Sequence, residues 1–356
     1  MAASNVYPAE SLKSFAIALL EAAGAPPDTA AIVAEALVDA DSEGLPSHGL
    51  MHLPMYLARI AGGSVDPRAM GEIVVDQGAR LTIDAGNGLG QVTAETACEI
   101  VIARADTHGL ALVAVRNAFH FGAAGRLARK IALSGQIGIV MANTRPMLPA
   151  PGGTEAVVGN NPLAIAVPTA GEPVVLDFAM SAGAMGKVRL AAGKGEPIPE
   201  GWAQTAQGLP TRDALEALKG TLLPAAGAKG FGLALMIDLI AGGLSGGGMG
   251  EAVQPLYGDM ARPYDSANLF LAIRIDGLRP RAEFEAAASG LADRVRTSRV
   301  APGAAAIRVP GDRAAQARKG FGGFTSLGEK TLEALRSHAR RLGVTIPAAL
   351  ADAGVI

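Results

Sequence analysis

Apolar positions follow a helical period through the first 60 residues and a strand-like period from about residue 71. Over residues 9–23 the stripe Leu12, Phe15, Leu19 and Leu20 falls on one face and stops at Gly24, ahead of Pro26 and Pro27, which predicts an α-helix. Asp28 reads as the N-cap of a second helix over 29–42, ending near Gly44. Ser47 reads as the N-cap of a third, running toward Ile60 and the glycines at 62 and 63, with a kink at Pro54. The result is a small helical layer.

Short β-branched or apolar runs then predict strands at 72–75, 80–84, 110–116, 137–142, 163–168, 173–178 and 269–275. Gly171 lies in the short link between the fifth and sixth, which reads as a hairpin. Helical patterns occupy 93–107, 123–133, 211–219, 229–242 and 281–294. Ser326 and Glu329 have capping-box spacing for a last helix over 330–342. Residues 143–162 form a Pro/Gly/Asn-rich loop, and three glycines at 246–248 open a segment that reads as mobile up to Ser266. Hairpins among the strands argue for a mixed α/β fold rather than a purely parallel doubly wound sheet. Three segments are expected: a helical one at 1–70 packing with the C-terminal helix of 325–356, a central sheet and cofactor region at 71–268, and a closing α/β segment at 269–356.

Composition narrows the function. The chain has 356 residues, 49% hydrophobic and 18% charged, with a formal net charge of -2. Its mean hydropathy of +0.29 excludes intrinsic disorder, and the balanced charge speaks against a nucleic-acid partner. One cysteine, Cys98, excludes a disulfide framework and a multi-thiolate metal site. Residues 1–21 lack the basic start and apolar core of a signal peptide, and Asp238 and several glycines interrupt the most apolar stretch, 231–249. A cytoplasmic protein without a membrane partner is expected. The 46 glycines, about 13% against a usual ~7%, fit either an enzyme built around a ligand crevice or a GC-rich genome.

Several constellations carry candidate chemistry. On one helix, His48, His52 and Tyr56 would follow at i, i+4 and i+8 on a single face, equipment suited to proton transfer near neutral pH. A solvated helix face with an ordinary serine cap is the plainer alternative. Zinc is disfavoured, because the glutamate of H-E-x-x-H is absent after His48, and no metal is expected. His120 ends a strand ahead of a Gly/Ala-rich helix start, where free N–H groups meet ligands, or it is simply a half-buried loop histidine. The run Gly86-Asn87-Gly88-Leu89-Gly90-Gln91 is not a dinucleotide fingerprint: Gln91 stands where the third glycine belongs, and no parallel βαβ unit is readable there. A tight turn suffices. Arg145 can clamp a carboxylate or lie on the surface. Asp177 can accept from a sugar hydroxyl or cap the following helix. Lys229, in a glycine turn at a helix start, can touch phosphate or merely occupy an ordinary turn.

Taken together, the motifs resemble the malate/L-lactate dehydrogenase type 2 family over nearly the whole chain. The segments are Ser47-His48-Gly49-Leu50 with Leu53-Pro54-Met55-Tyr56, and His120-Phe121-Gly122-Ala123-Ala124-Gly125. Pro151-Gly152-Gly153, Gly159-Asn160-Asn161-Pro162, Leu176-Asp177-Phe178-Ala179 and Gly186-Lys187-Val188 follow. Ile198-Pro199-Glu200-Gly201-Trp202-Ala203 and Gly227-Ala228-Lys229-Gly230 complete the series. Each is weak alone, but their order and spacing are specific.

The resemblance implies a nicotinamide-dependent oxidoreductase, using NAD or NADP on a small carboxylate substrate, with a non-Rossmann, largely antiparallel fold. It implies a homodimer with the active site between domains. It maps the proton relay onto Ser47 and His48, a second active-site histidine onto His120, and substrate binding onto positions 52 and 56. Cofactor contacts map onto His120, Thr144, Asp177, Phe178, Ala179 and Lys229, and onto 266–268 and 310–313, which include Asn268, Gly311 and Arg313. The departures are His52, where the family usually has a carboxylate-binding arginine, Pro46 in place of aspartate, and Arg145 where a small or acidic residue is expected. The expectation is therefore that Arg145 takes over anion binding while His52 reshapes the pocket. A reductase of a cyclic imino acid, or a member without activity, are the alternatives; Lys187, where an acidic residue is expected in imine reductases, leans against the first.

Overall fold

A seven-stranded sheet forms the middle of the molecule in the computed structural model, which describes residues 5–351. Its strands are β1 (Glu72–Asp76), β2 (Arg80–Asp84), β3 (Leu110–Ala118), β4 (Gln136–Ala142), β5 (Leu163–Val167), β6 (Val174–Phe178) and β7 (Ser266–Arg274). They lie in the order β1-β2-β3-β7-β4-β5-β6, and every neighbouring pair is antiparallel except β2–β3. The strand of this sheet that comes last in sequence therefore sits in its centre. Its sequence explains why: Phe270 and Ala272 face one core and Ala267 and Leu269 the other, so both faces are apolar.

Around the sheet lie eleven α-helices among the described residues. Helices α1 (Ala9–Ala22), α2 (Pro27–Ser42) and α3 (Leu53–Ala61) build the N-terminal layer. α4 (Gly90–His108) and α5 (Ala124–Leu133) cover one face of the sheet, and Val101, Leu127, Ala128 and Ile131 pack there against Val113, Val140 and Phe270. After β6 come α6 (Met185–Lys194) and α7 (Ala214–Lys219), then α8 (Ala228–Ser245), which crosses the opposite face. α9 (Arg281–Arg296), α10 (Asp312–Phe321) and α11 (Glu329–Leu342) end the fold. Leu332 and Leu335 of α11 share a separate core with Leu12, Phe15, Leu19, Leu37 and Tyr56. Each such fully buried side chain contributes about 1.5–3 kcal/mol.

Several local readings need correction. Residues 47–60 are not one helix: a 3₁₀ turn, Pro46–His48, is broken at extended Gly49 (φ −95°, ψ −152°), and a second turn, Leu50–His52, leads into α3. Ser47 caps nothing, and Pro54 lies in the first turn of α3 rather than at a kink. Asp28 is likewise inside α2, behind Pro26 and Pro27. Ser326 belongs to a strand, Phe324–Leu327, that pairs with Asn5–Pro8, so it forms no capping box. The helix expected at 211–219 begins at Ala214, where Asp213 accepts from the Leu215 and Glu216 N–H groups. The 143–162 loop carries two short paired strands, Leu148–Pro149 and Ala156–Val158. Segment 246–266 is tied down, since the buried Arg59 donates to the carbonyls of Pro255, Leu256 and Arg262. β2, α4 and β3 do form a parallel βαβ unit. Its glycines serve packing: a Cβ on Gly90 would lie 2.3 Å from the Phe119 carbonyl oxygen.

Candidate active site

The break at Gly49 brings the histidines together by bending the chain. A Cβ there would fall 2.1 Å from an oxygen of Asp41, so only glycine lets the buried Asp41 carboxylate sit against this turn and accept from Leu50 N–H at 2.9 Å. His48 Nδ1 then lies 3.0 Å from Ser47 Oγ. His52 is held at both nitrogens: Nε2 donates to the Ser47 carbonyl at 2.6 Å, which leaves Nδ1 to accept from the Tyr257 hydroxyl at 2.8 Å.

His120 enters from the end of β3. Its Nδ1 lies 2.7 Å from the hydroxyl of fully buried Tyr56, and Gln91 Nε2 donates to that same oxygen at 2.9 Å. Ring centres separate by 4.8 Å for His52 and His120 and by 6.2 Å for His48 and His120, the latter pair inclined by 25°. His48 and His120 are each anchored at Nδ1. Among the described residues neither Nε2 has a protein partner, and neither is sealed in the interior.

Electrostatics favour neutral rings. Burial lowers the His48 pKa, and the Asp177 carboxylate opposes part of that shift. Burial and the neighbouring His48 push His52 down to about 4. Burial, His52 and His48 hold His120 well below the usual range. Burial raises Asp177 although it accepts from Gly125 N–H, at the start of α5, at 2.7 Å. Asp177 therefore meets α5 rather than the helix that follows it. Burial also raises Asp41, to about 7.

The remaining expected residues are spread over several other elements. Thr144 donates its N–H to Asn161 at 2.9 Å and its hydroxyl to Asn160 at 3.0 Å, and Asn161 is fastened to the Ala234 carbonyl of α8. Phe178 and Ala179 continue from Asp177 and are half-buried. Lys229 is exposed in the first turn of α8, whose N-terminus has no side-chain cap and begins at Gly227 (φ +62°), with open space beside it. Asn268, in the central strand, is 1% exposed and neither amide atom has a partner. Gly311 and Arg313 lie apart from the histidines, where the Pro310 carbonyl accepts from Val175 at the sheet edge. Arg145 is half-buried beside a pocket of about 300 Å³ lined by Pro146, Ala156, Glu251, Val253, Gln254 and Pro255. A larger cavity, about 540 Å³, lies between α6 and α7 and contains none of the histidines.

The uncapped start of α8, the exposed lysine in its first turn and the unpartnered buried amide of Asn268 suit a phosphate-bearing dinucleotide. The sequence reading missed Asp41, Gln91 and Tyr257. Gln91 directly follows the glycine run, and Asp41 is an acidic residue on an otherwise apolar face of α2. No local pattern marks Tyr257, which reaches the site only through its hydrogen bond to His52.

Comparison with known proteins gives a consistent answer. The sequence profile of the malate/L-lactate dehydrogenase family matches residues 7–322. The malate dehydrogenase of Pyrococcus abyssi is 35% identical over 348 residues, 95% of this chain and 95% of that protein. The (2R)-3-sulfolactate dehydrogenase (NADP(+)) of Chromohalobacter salexigens is 38% identical over 266 residues, 72% of this chain and 80% of that protein. The solved structure of sulfolactate dehydrogenase from Methanocaldococcus jannaschii superposes with a TM-score of 0.91 at 33% identity, covering 96% of this chain and 98% of that one. By sequence and by fold, the chain belongs to the malate/L-lactate dehydrogenase family.

Proposed function

We propose that the protein is an NAD(P)-dependent dehydrogenase acting at C2 of a small 2-hydroxy or 2-oxo acid. The observation that carries this reading is the pair of imidazoles, His48 and His120, each fixed at Nδ1 with Nε2 left open. A nicotinamide bound beside them supplies or accepts the hydride. The fold supports a non-Rossmann binding mode: the largely antiparallel sheet and the Gly90 packing contact leave no phosphate-binding glycine loop after β2. Lys229 and the α8 N-terminus would hold the cofactor's phosphates, and His120, Thr144, Asp177, Phe178, Ala179 and Asn268 would contact the remainder. Gly311 and Arg313, beside β6, would add further contacts.

In oxidation, the substrate hydroxyl gives its proton to Nε2 of His120. Low proton affinity in a half-buried site keeps that nitrogen unprotonated and ready. With its Nδ1–H donated to Tyr56 Oη, His120 presents a lone pair at Nε2, and the Tyr56 hydroxyl turns to the His120 carbonyl, 3.3 Å away. Gln91 holds the tyrosine oxygen throughout. Tyr56 thus acts on His120 rather than on substrate. Ser47 orients His48, which lies within electrostatic reach of Asp177 and relays the proton outward. His52 has no free nitrogen and shapes the wall, and Arg145 supplies the positive charge for the substrate carboxylate.

A second copy of the chain completes the molecule. The α8 helix is long and apolar enough to cross a membrane by length and composition. However, its Asp238 is buried and accepts from Asn143 at 2.8 Å, while Leu233, Met236, Leu239 and Leu244 are exposed. That stripe suits a homodimer interface in a cytoplasmic enzyme. NADH and NADPH consumption with a panel of 2-oxo acids and cyclic imines tests the function. Turnover of 2-oxo acids is expected, and turnover of imines alone, or of nothing, overturns it.

A further inference from the structure

Two arginines from distant parts of the chain converge beside the histidine cluster. Arg145 follows β4, and Arg189 lies in the middle of α6. The Arg189 guanidinium carbon is 5.9 Å from the centre of the Tyr257 ring, whose hydroxyl donates to His52. Pro255, two residues before Tyr257, lines the Arg145 pocket. The two guanidinium groups sense one another: after burial, Arg189 is the largest influence lowering the Arg145 pKa. Arg189 thus stands one aromatic ring away from His52.

Neither charge is neutralised. Arg145 donates to the carbonyl of the next residue, Pro146, at 3.3 Å. Among the described residues neither arginine has a carboxylate within ion-pair distance, and Glu251, which lines the same pocket as Arg145, does not pair with it. Arg189 is exposed and Arg145 half-buried. Two other half-buried arginines do pair with carboxylates, Arg126 with Glu95 and Asp39 and Arg318 with Glu43 and Glu172, whereas buried Arg59 is satisfied by backbone carbonyls. Two positive charges kept together without a counter-charge match a ligand that carries two negative charges.

We propose that Arg145 and Arg189 form a paired anion clamp that makes this chain selective for dianionic 2-hydroxy and 2-oxo acids over monoanionic ones. The inference rests on the dehydrogenase reading and extends it from Arg145 to Arg189 and to the substrate's charge. A forked guanidinium gives each anionic group paired, charge-assisted hydrogen bonds. His52, neutral and committed at both nitrogens, leaves that task to the arginines.

The test compares kcat/KM for oxaloacetate and pyruvate, which share the reacting carbon but differ by one anionic group, in the wild type and in Arg189→Gln, Arg189→Lys and Arg145→Gln. The wild type should favour the dianion. Arg189→Gln should lower the dianion-to-monoanion ratio about 10–100-fold, mainly through KM for the dianion, and Arg189→Lys should restore part of it. A wild type that favours pyruvate, or a ratio that Arg189→Gln leaves unmoved, overturns the clamp. Calorimetric binding of succinate, an unreactive dianion, separates the two claims. If no 2-oxo acid or imine is turned over, yet Arg189→Gln weakens succinate binding at least 10-fold, the clamp stands and the dehydrogenase reading falls. If turnover proceeds and succinate binds both proteins equally, the clamp alone falls.

Discussion

Replacing Gly90 with alanine probes how firmly His120 is placed. Gly90 is the first residue of α4, and an added Cβ would lie 2.3 Å from the Phe119 carbonyl oxygen and 2.6 Å from that of His120. Such contacts do not fall below 3.0 Å, so the helix start and the peptide carrying His120 must part by at least about 0.7 Å. In an unhindered helix the same substitution is favourable by up to about 1 kcal/mol. Overpacking against backbone costs about 1–3 kcal/mol, so the net expectation is a loss of up to roughly 2 kcal/mol and a Tm lower by a few degrees. The catalytic effect is larger, because a displacement near 1 Å costs on the order of 10²-fold. Steady-state NAD(P)H consumption and a thermal melt read both quantities. A Gly90→Ala enzyme that is as active as the wild type and equally or more stable would falsify the placement of His120 by this contact.

Three further outcomes are expected. Asp41, with a folded-state pKa raised to about 7, contributes stability that is fully present below the ordinary carboxylate range and is lost as pH rises toward 7. Asp41→Asn, which keeps an acceptor for Leu50 N–H, should therefore flatten the decline in Tm between about pH 4 and 7, and parallel Tm curves would contradict this. Lys229→Gln should weaken NADH or NADPH binding about 10-fold in a fluorescence titration, as removal of one charge-assisted phosphate contact predicts; an unchanged dissociation constant would remove Lys229 from the cofactor site. Leu239→Glu, on the exposed stripe of α8, should convert a sedimenting dimer into a monomer. A wild type that already sediments as a monomer would dismiss the interface.

The central strands were legible because burial on both faces leaves near-continuous apolar runs, and β7 announces itself by the same signal as β4. Edges and turns were less so. The helix expected across His48 and His52 satisfied every spacing rule, yet the Asp41 carboxylate, arriving from α2, occupies the space beside Gly49 and the chain breaks there. The histidines still meet, through a fold-back rather than a helix face. Ser326 and Glu329 had capping-box spacing, but pairing of Ser326 with Val6 draws that residue into a strand. Helix α6 escaped notice because Val188 is its one buried residue, which leaves no apolar stripe to read. Arg189 was lost with it. His120 and Tyr56 were visible as candidates, but their hydrogen bond spans 64 positions and Gln91 completes it from a third element.

The most direct test is the proton-transfer role of the open imidazole nitrogens. His120→Gln and His48→Gln should be compared with the wild type for kcat/KM in reduction of a 2-oxo acid across the pH range, alongside cofactor affinity. Loss of general acid–base catalysis predicts a fall of about 10²–10⁴-fold in His120→Gln, disappearance of the histidine limb of the pH profile, and nicotinamide binding that persists. Full activity and an unaltered pH profile in both variants would contradict the account.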